Sequence, residues 1–206
     1  MIADSTPVTT NNRATTVSAD DIARAIIEVD QIGELEAAVR NEELGKFFAN
    51  FPAPLTDETT EMSGPTGELN LSYYAPRGIV ICAGPDAASA KAQANVALSQ
   101  DNKVIAVAPD IGSVLPAPTE TSLALVSIDG VLRGESLTNL DGFAAIASDG
   151  DDELLSEYRQ QLAGRDGPLL PLITESRCAE HFVLERHLCV DTTAAGGNAS
   201  LVANSE

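Results

Sequence analysis

Pro76-Arg77-Gly78-Ile79-Val80-Ile81-Cys82-Ala83-Gly84-Pro85-Asp86-Ala87 is the stretch that decides the fold class. Ile79 to Ala83 is a short apolar run with no polar interruption. Burial on both faces suits a parallel strand covered by helices. Gly84-Pro85-Asp86 turns the chain, and Ala87 to Leu98 is Ala-rich and helical, with Asp86 as its candidate cap. The pattern then repeats. Lys103 to Ala108 reads as the next strand, and Leu123 to Ile128 as a third, ended by Asp129-Gly130. Phe143 to Ala147 is a fourth, ended by Asp149-Gly150. Asp151 to Ala163 is an acid-started helix, and Leu169 to Ile173 a fifth strand. Short strands alternating with helical patterns predict βαβ units and an α/β doubly wound parallel sheet, Rossmann-like, over residues 76–175.

The flanks read differently. Residues 1–17 are rich in Thr, Asn and Ser and are expected to be disordered. Residues 18–51 are a helical segment. Ser18 caps with Asp21 three residues on, and Ile22, Ala25, Ile26 and Val29 form one apolar face. After Gly33, Leu35, Ala38, Val39 and Leu44 continue a second helix, followed by Phe47, Phe48 and Phe51. This pair either docks on a partner as a helical hairpin or packs on its own domain. Pro52, Pro54, Gly64, Pro65 and Gly67 mark residues 52–75 as a linker. His181 to Val190 reads as a longer strand that leads into the C-terminal tail.

Composition bounds the function. A chain of 206 residues that is 44% hydrophobic holds a real core, and with 4% aromatics Ala, Val, Leu and Ile must fill it. A net charge of −19, from 31 acidic and 12 basic residues, argues against nucleic acid and against anionic membrane surfaces. No apolar run approaches a membrane span. The N-terminus lacks the basic start and apolar run of a secretory signal, and three widely spaced cysteines then read as reduced thiols in the cytoplasm.

Chemistry is hard to find. Ala83-Gly84-Pro85-Asp86-Ala87 is not a G-x-G-x-x-G turn: Pro85 removes an N–H donor, and Asp86 puts a negative charge where a pyrophosphate would sit. No cofactor-binding residues are therefore assigned. Cys82 falls inside a buried strand and Cys189 in another, and Cys178 has no base at an obvious spacing, so no catalytic residue is assigned. His181 and His187, six apart in one strand, would stand about 20 Å apart at roughly 3.3 Å per residue. That is too far for one metal, and without CxxC or Cys/His clustering zinc is not expected. The acids Asp149 and Asp151 to Glu153 fit a helix start better than a calcium loop.

This leaves the tail: Thr192, Thr193, Ala194, Ala195, Gly196, Gly197, Asn198, Ala199, Ser200 and Leu201. It is small, nearly apolar and shaped to lie in a crevice, holding on through backbone groups. It is read as a partner-docking element. Asp191 to Leu201 also resembles the terminal motif of the bifunctional proline-catabolic flavoenzymes called proline utilization A, with Asp191 where that motif has Asn. Gly64-Pro65-Thr66-Gly67-Glu68-Leu69-Asn70 with Pro76-Arg77-Gly78, and Arg165-Asp166-Gly167-Pro168-Leu169-Leu170-Pro171-Leu172, match the same family in order.

The resemblance implies a C-terminal, degenerate aldehyde-dehydrogenase-superfamily domain without working residues. Residues 176–206 would form a β-flap and terminal motif, the flap falling near Arg177 to Asp191. FAD and NAD would belong to the parent or partner enzyme, and none to this chain. The implied partners are the proline dehydrogenase and L-glutamate γ-semialdehyde dehydrogenase modules. The domain would cover the cavity through which the intermediate passes. An independent nucleotide-binding module, or a homo-oligomerisation module, is the alternative.

Overall fold

A computed structural model describes residues 15–65 and 67–191. The expected disorder of residues 1–14 and the docking tail at 192–201 lie outside the described residues. In chain order the elements are β1 (Thr16–Val17), α1 (Ala19–Asp30), α2 (Ala37–Phe47), β2 (Thr59–Met62), β3 (Glu68–Pro76), β4 (Ile79–Ala83), α3 (Ala87–Ser99), β5 (Lys103–Ala108), β6 (Leu125–Asp129), β7 (Val131–Leu132), β8 (Ala145–Ala147), α4 (Asp152–Ala163), β9 (Leu172–Ile173) and β10 (Val183–Asp191).

The main sheet is five-stranded and parallel, in the order β6-β5-β4-β8-β9. Val80 pairs with Val104 on one side and with Ala145 on the other. The central strand β4 is buried at all five positions. Its alternate residues feed two separate cores. Val80 and Cys82, with Val104 and Ala106, face a core closed by α2 and α3 through Leu44, Ala90, Ala94 and Ala97. Ile79, Ile81 and Ala83, with Ile105 and Val107, face a core closed by α1 and α4 through Ile22, Val29, Tyr158 and Leu162. A strand with period-two side chains and helices over both faces must read as an unbroken apolar run, as β4 does. Each fully buried Ile contributes about 1.5–3 kcal/mol, so Ile81 or Ile105 to Ala would damage both the sheet and its cover.

Helix ends follow local chemistry. Ser18 and Asp21 form a reciprocal capping box on α1. Asp86 accepts from Ser89 N at 2.8 Å and starts α3, and Asp151 accepts from Leu154 N at 2.9 Å and starts α4. The N-terminal helices pack on their own domain, one on each face of the sheet. They do not form a helical hairpin for a partner.

Three expectations are corrected. Disorder over 1–17 does not extend to Thr16–Val17, because β1 pairs in parallel with β7 and Val17 is 2% exposed. Residues 52–75 are not a plain linker. Leu55 N donates to Gln100 Oε1 at 2.8 Å and Thr56 Oγ1 to Asp101 Oδ2 at 2.6 Å, which clamps the segment to the exit of α3. The segment then supplies β2 and most of β3. The alternation Leu69, Leu71, Tyr73, Ala75 is the period-two signal that the Pro and Gly residues obscured. The strand-like run does not begin at His181: Ala179–Phe182 is a one-turn 3-10 helix, and β10 starts at Val183.

Asn102 joins these parts. Its Oδ1 accepts from Arg77 N at 2.8 Å and Gly78 N at 3.2 Å, where Gly78 has φ +120° at the entry to β4. Its Nδ2 donates to Ala97 O, Gln100 O and Phe182 O at 3.1, 3.2 and 2.9 Å. One side chain, 2% exposed, thus ties the central strand, the exit of α3 and the root of β10.

Candidate functional site

In a doubly wound sheet, ligands bind beyond the carboxyl ends of the strands, where strand order reverses. Here that point lies between β4 and β8, at Gly84 to Asp86 and Ser148 to Asp151. The turn at its mouth is tightly packed. A Cβ on Gly84 would lie 2.4 Å from Ala90 N and 2.8 Å from Asp86 O, so the glycine serves a close approach of β4 to the first turn of α3. The Asp86 carboxylate occupies the N-terminal position of α3 that a phosphate would need. Gln93 Nε2 donates to Asp149 Oδ1 at 2.5 Å across the same gap. The remaining cavity, about 400 Å³, is lined by Pro85, Arg133, Gly150, Asp151 and Glu153. Arg133, its one lining cation among the described residues, already faces Glu157 at 3.9 Å.

A larger cavity, about 760 Å³, lies at the opposite, amino ends of the strands. Its cations are engaged. Arg40 pairs with Asp101, and burial lowers its pKa. Lys103 Nζ donates to Asp30 O at 2.7 Å, and Arg77 Nε donates to His181 O at 2.5 Å. The cysteines also differ in setting. Cys82 is fully buried, and burial pushes its thiol far up, so it acts as a small hydrophobe. Cys189 is exposed on β10.

The open surface is elsewhere. β2, β3 and β10 form a separate antiparallel sheet in the order β10-β3-β2. β10 pairs with β3 over nine residues, from Val183↔Pro76 to Asp191↔Glu68. Beyond Val183 the strand leaves the core, and Glu185 to Asp191 are all exposed. Directly paired residues share a face. One face therefore carries Leu69, Leu71, Tyr73 and Ala75 of β3 beside Val190, Leu188, Arg186 and Leu184 of β10. The other carries Glu68, Asn70, Ser72 and Tyr74 beside Asp191, Cys189, His187 and Glu185. The first face, which also carries Thr59 and Glu61 of β2, leaves aliphatic side chains open: Leu69, Leu188 and Val190 are 37%, 48% and 39% exposed. The span expected for a flap, Arg177 to Asp191, thus holds one of its three strands; β2 and β3 were missed.

A further cluster was also missed. His181 sits in the turn before β10 and not in line with His187. Its Nε2 lies 3.5 Å from Glu175 Oε2, and the same oxygen lies 4.0 Å from Cys178 Sγ. His187 pairs with Glu185 at 3.4 Å on the ribbon.

No family model matches the sequence. The bifunctional protein PutA of Escherichia coli K12 is 30% identical over 150 residues, which is 68% of this chain and 11% of that protein. The chain thus spans about a tenth of this relative's length. Among solved structures, a mutant of Bradyrhizobium japonicum proline utilization A aligns over 77% of this chain and 22% of its own, with TM-score 0.57 and 20% identity. The P. syringae indole-3-acetaldehyde dehydrogenase AldA aligns over 77% of this chain and 43% of its own, with TM-score 0.58 and 15% identity. The chain is a PutA-related domain with the aldehyde dehydrogenase fold.

Proposed function

We propose that this chain is a non-catalytic C-terminal domain or fragment of a bifunctional proline-catabolic enzyme that converts proline to glutamate. It covers the substrate-channelling cavity and docks on the aldehyde dehydrogenase module. The amphipathic ribbon is the observation that carries the reading: exposed aliphatic side chains gathered on one face of a projecting sheet suit docking better than catalysis. The tail Thr192 to Leu201 continues from β10 and acts as the second docking element. FAD and NAD act in the neighbouring modules, and this chain binds neither.

Mixing the chain with a dehydrogenase partner that lacks its own terminal domain tests this. Restored coupled turnover of proline to glutamate is the expected result. Deleting residues 192–206 should remove the restoration. No association and no effect on turnover would sink the proposal.

A second reading has one specific support. β10 is an edge strand of its sheet, and edge strands pair between chains. The ribbon then serves homo-oligomerisation. Light scattering of the isolated chain separates the two, since the first reading expects a monomer when no partner is present.

A further inference from the structure

The loop from β9 to β10 gathers three side chains of metal-ligand type. Glu175, Cys178 and His181 are spaced by three residues. Cys178 N donates to Glu175 O at 3.1 Å, and His181 N to Cys178 O at 3.3 Å. Two successive three-residue turns bring side chains at i and i+3 over one another, as in 3-10 geometry. The carboxylate oxygen, the thiol sulfur and an imidazole nitrogen consequently all lie within 4.8 Å of one another, the one such trio among the described residues.

These separations are close to those of a bound ion. With metal bonds of about 2.3 Å to sulfur and about 2.0–2.2 Å to nitrogen and oxygen, tetrahedral ligands stand roughly 3.3–3.6 Å apart. Glu175 to His181 already meets this at 3.5 Å, and Glu175 to Cys178 needs a small closure from 4.0 Å. The Glu175 and His181 side chains are 75% and 49% exposed, which leaves an entry path. A soft thiolate with an imidazole and one carboxylate favours zinc over magnesium or calcium.

We propose that Glu175, Cys178 and His181 bind one zinc-class divalent ion, with a fourth position open to water. Cys178 ligates as the thiolate, so binding releases its thiol proton. The ion staples the root of the ribbon. His181 O already accepts from Arg77 Nε, beside the junction of β3 and β4, and Phe182 O accepts from Asn102. This inference is independent of the docking reading, because it concerns the base of the ribbon and is read by metal binding alone.

The full chain is titrated with Co²⁺ as a spectroscopic stand-in and with Zn²⁺ in competition. The expected result is one equivalent bound, with thiolate-to-cobalt charge-transfer absorption that Zn²⁺ abolishes. C178S should remove the absorption and C189S should leave it intact. H181A and E175Q should each weaken Zn²⁺ binding beyond the roughly 10–100-fold lost with an outer-shell partner. In alkylation mapped by mass spectrometry, Zn²⁺ should protect Cys178 and leave Cys189 reactive. Unchanged circular dichroism certifies that each variant is folded. Absence of the thiolate absorption in the native chain, its survival in C178S, or its loss in C189S overturns the proposal.

Discussion

Asn102→Ala should be among the most damaging single polar truncations in this chain. The side chain makes five hydrogen bonds to main-chain groups of three elements. Its loss does not orphan all five. Ala97 O keeps the N–H groups of Gln100 and Asn102 at 3.2 and 3.1 Å. Arg77 N and Gly78 N lose their acceptor but sit in half-buried residues, where water can enter in part. Phe182 O and Gln100 O, both in fully buried residues, lose the Nδ2 donor. An unmet buried polar group costs about 1–3 kcal/mol, so these two give roughly 2–6 kcal/mol in all. For a chain of this size, at about 2–4 °C per kcal/mol, that is a fall in Tm of about 4–24 °C. Urea unfolding followed by circular dichroism should show a lower midpoint at an unchanged slope, since the unfolded surface is the same. Asn102→Asp keeps the acceptor, loses the donors and buries a charge, and should be at least as harmful. Limited proteolysis should also cut faster near residues 177–183, whose anchor is gone. A loss below about 1 kcal/mol, with unchanged cleavage there, would refute the idea that this side chain joins the sheet to the root of the ribbon.

Gly84→Ala forces a Cβ to 2.4 Å from Ala90 N, so β4 and α3 must separate; an overpacking cost of about 1–3 kcal/mol is expected in the same unfolding assay. Leu188→Lys should change the isolated chain by less than about 1 kcal/mol, because the side chain is 48% exposed, while abolishing restoration of coupled turnover in the mixing assay. Hydrogen bonds from the Ser18 side chain and backbone, aided by the Arg24 charge, hold the Asp21 carboxyl below the usual aspartate range. A depressed folded-state pKa stabilises above the unfolded value and is lost as pH falls through the folded one. Asp21→Asn should therefore flatten the acid limb of stability against pH, measured by Tm below the usual aspartate range, and leave its shape near neutrality unchanged. Native-state alkylation should spare Cys82, which is buried with its thiol pKa pushed up, and modify exposed Cys189; rapid labelling of Cys82 would contradict the closed core.

Much of the parallel sheet was legible because each strand announces its environment. Ile79 to Ala83 has no polar residue since both faces are covered, and Asp86 and Asp151 announce helix starts through a bond three residues away. Strand ends were less legible. The fifth strand is confined to Leu172–Ile173 although the apolar run begins at Leu169, because Leu169 is 91% exposed. The role of Asp86 as the cap of α3 was legible from its place before the Ala-rich run. The ribbon was not. Prolines and glycines between 52 and 67 read as a linker, while the partner strand that gives β3 its meaning lies more than a hundred residues later.

The sequence by itself determined what depends on neighbours in the chain: helix caps, apolar runs, the α/β class, the acidic surface and the family motifs. Tertiary structure alone decided what depends on distant partners. It assigned α1 and α2 to opposite faces of the sheet, and it paired β3 with β10 so that exposed aliphatic side chains gather on one ribbon face. It placed Asn102 at a junction of three elements and turned His181 back beside Cys178 and Glu175. The physical reason is the range of the forces that act. A cap or a period-two stripe is satisfied within a few residues and leaves its mark there. A shared hydrogen-bond hub, a strand register or a ligand cluster exists only after the chain has closed on itself.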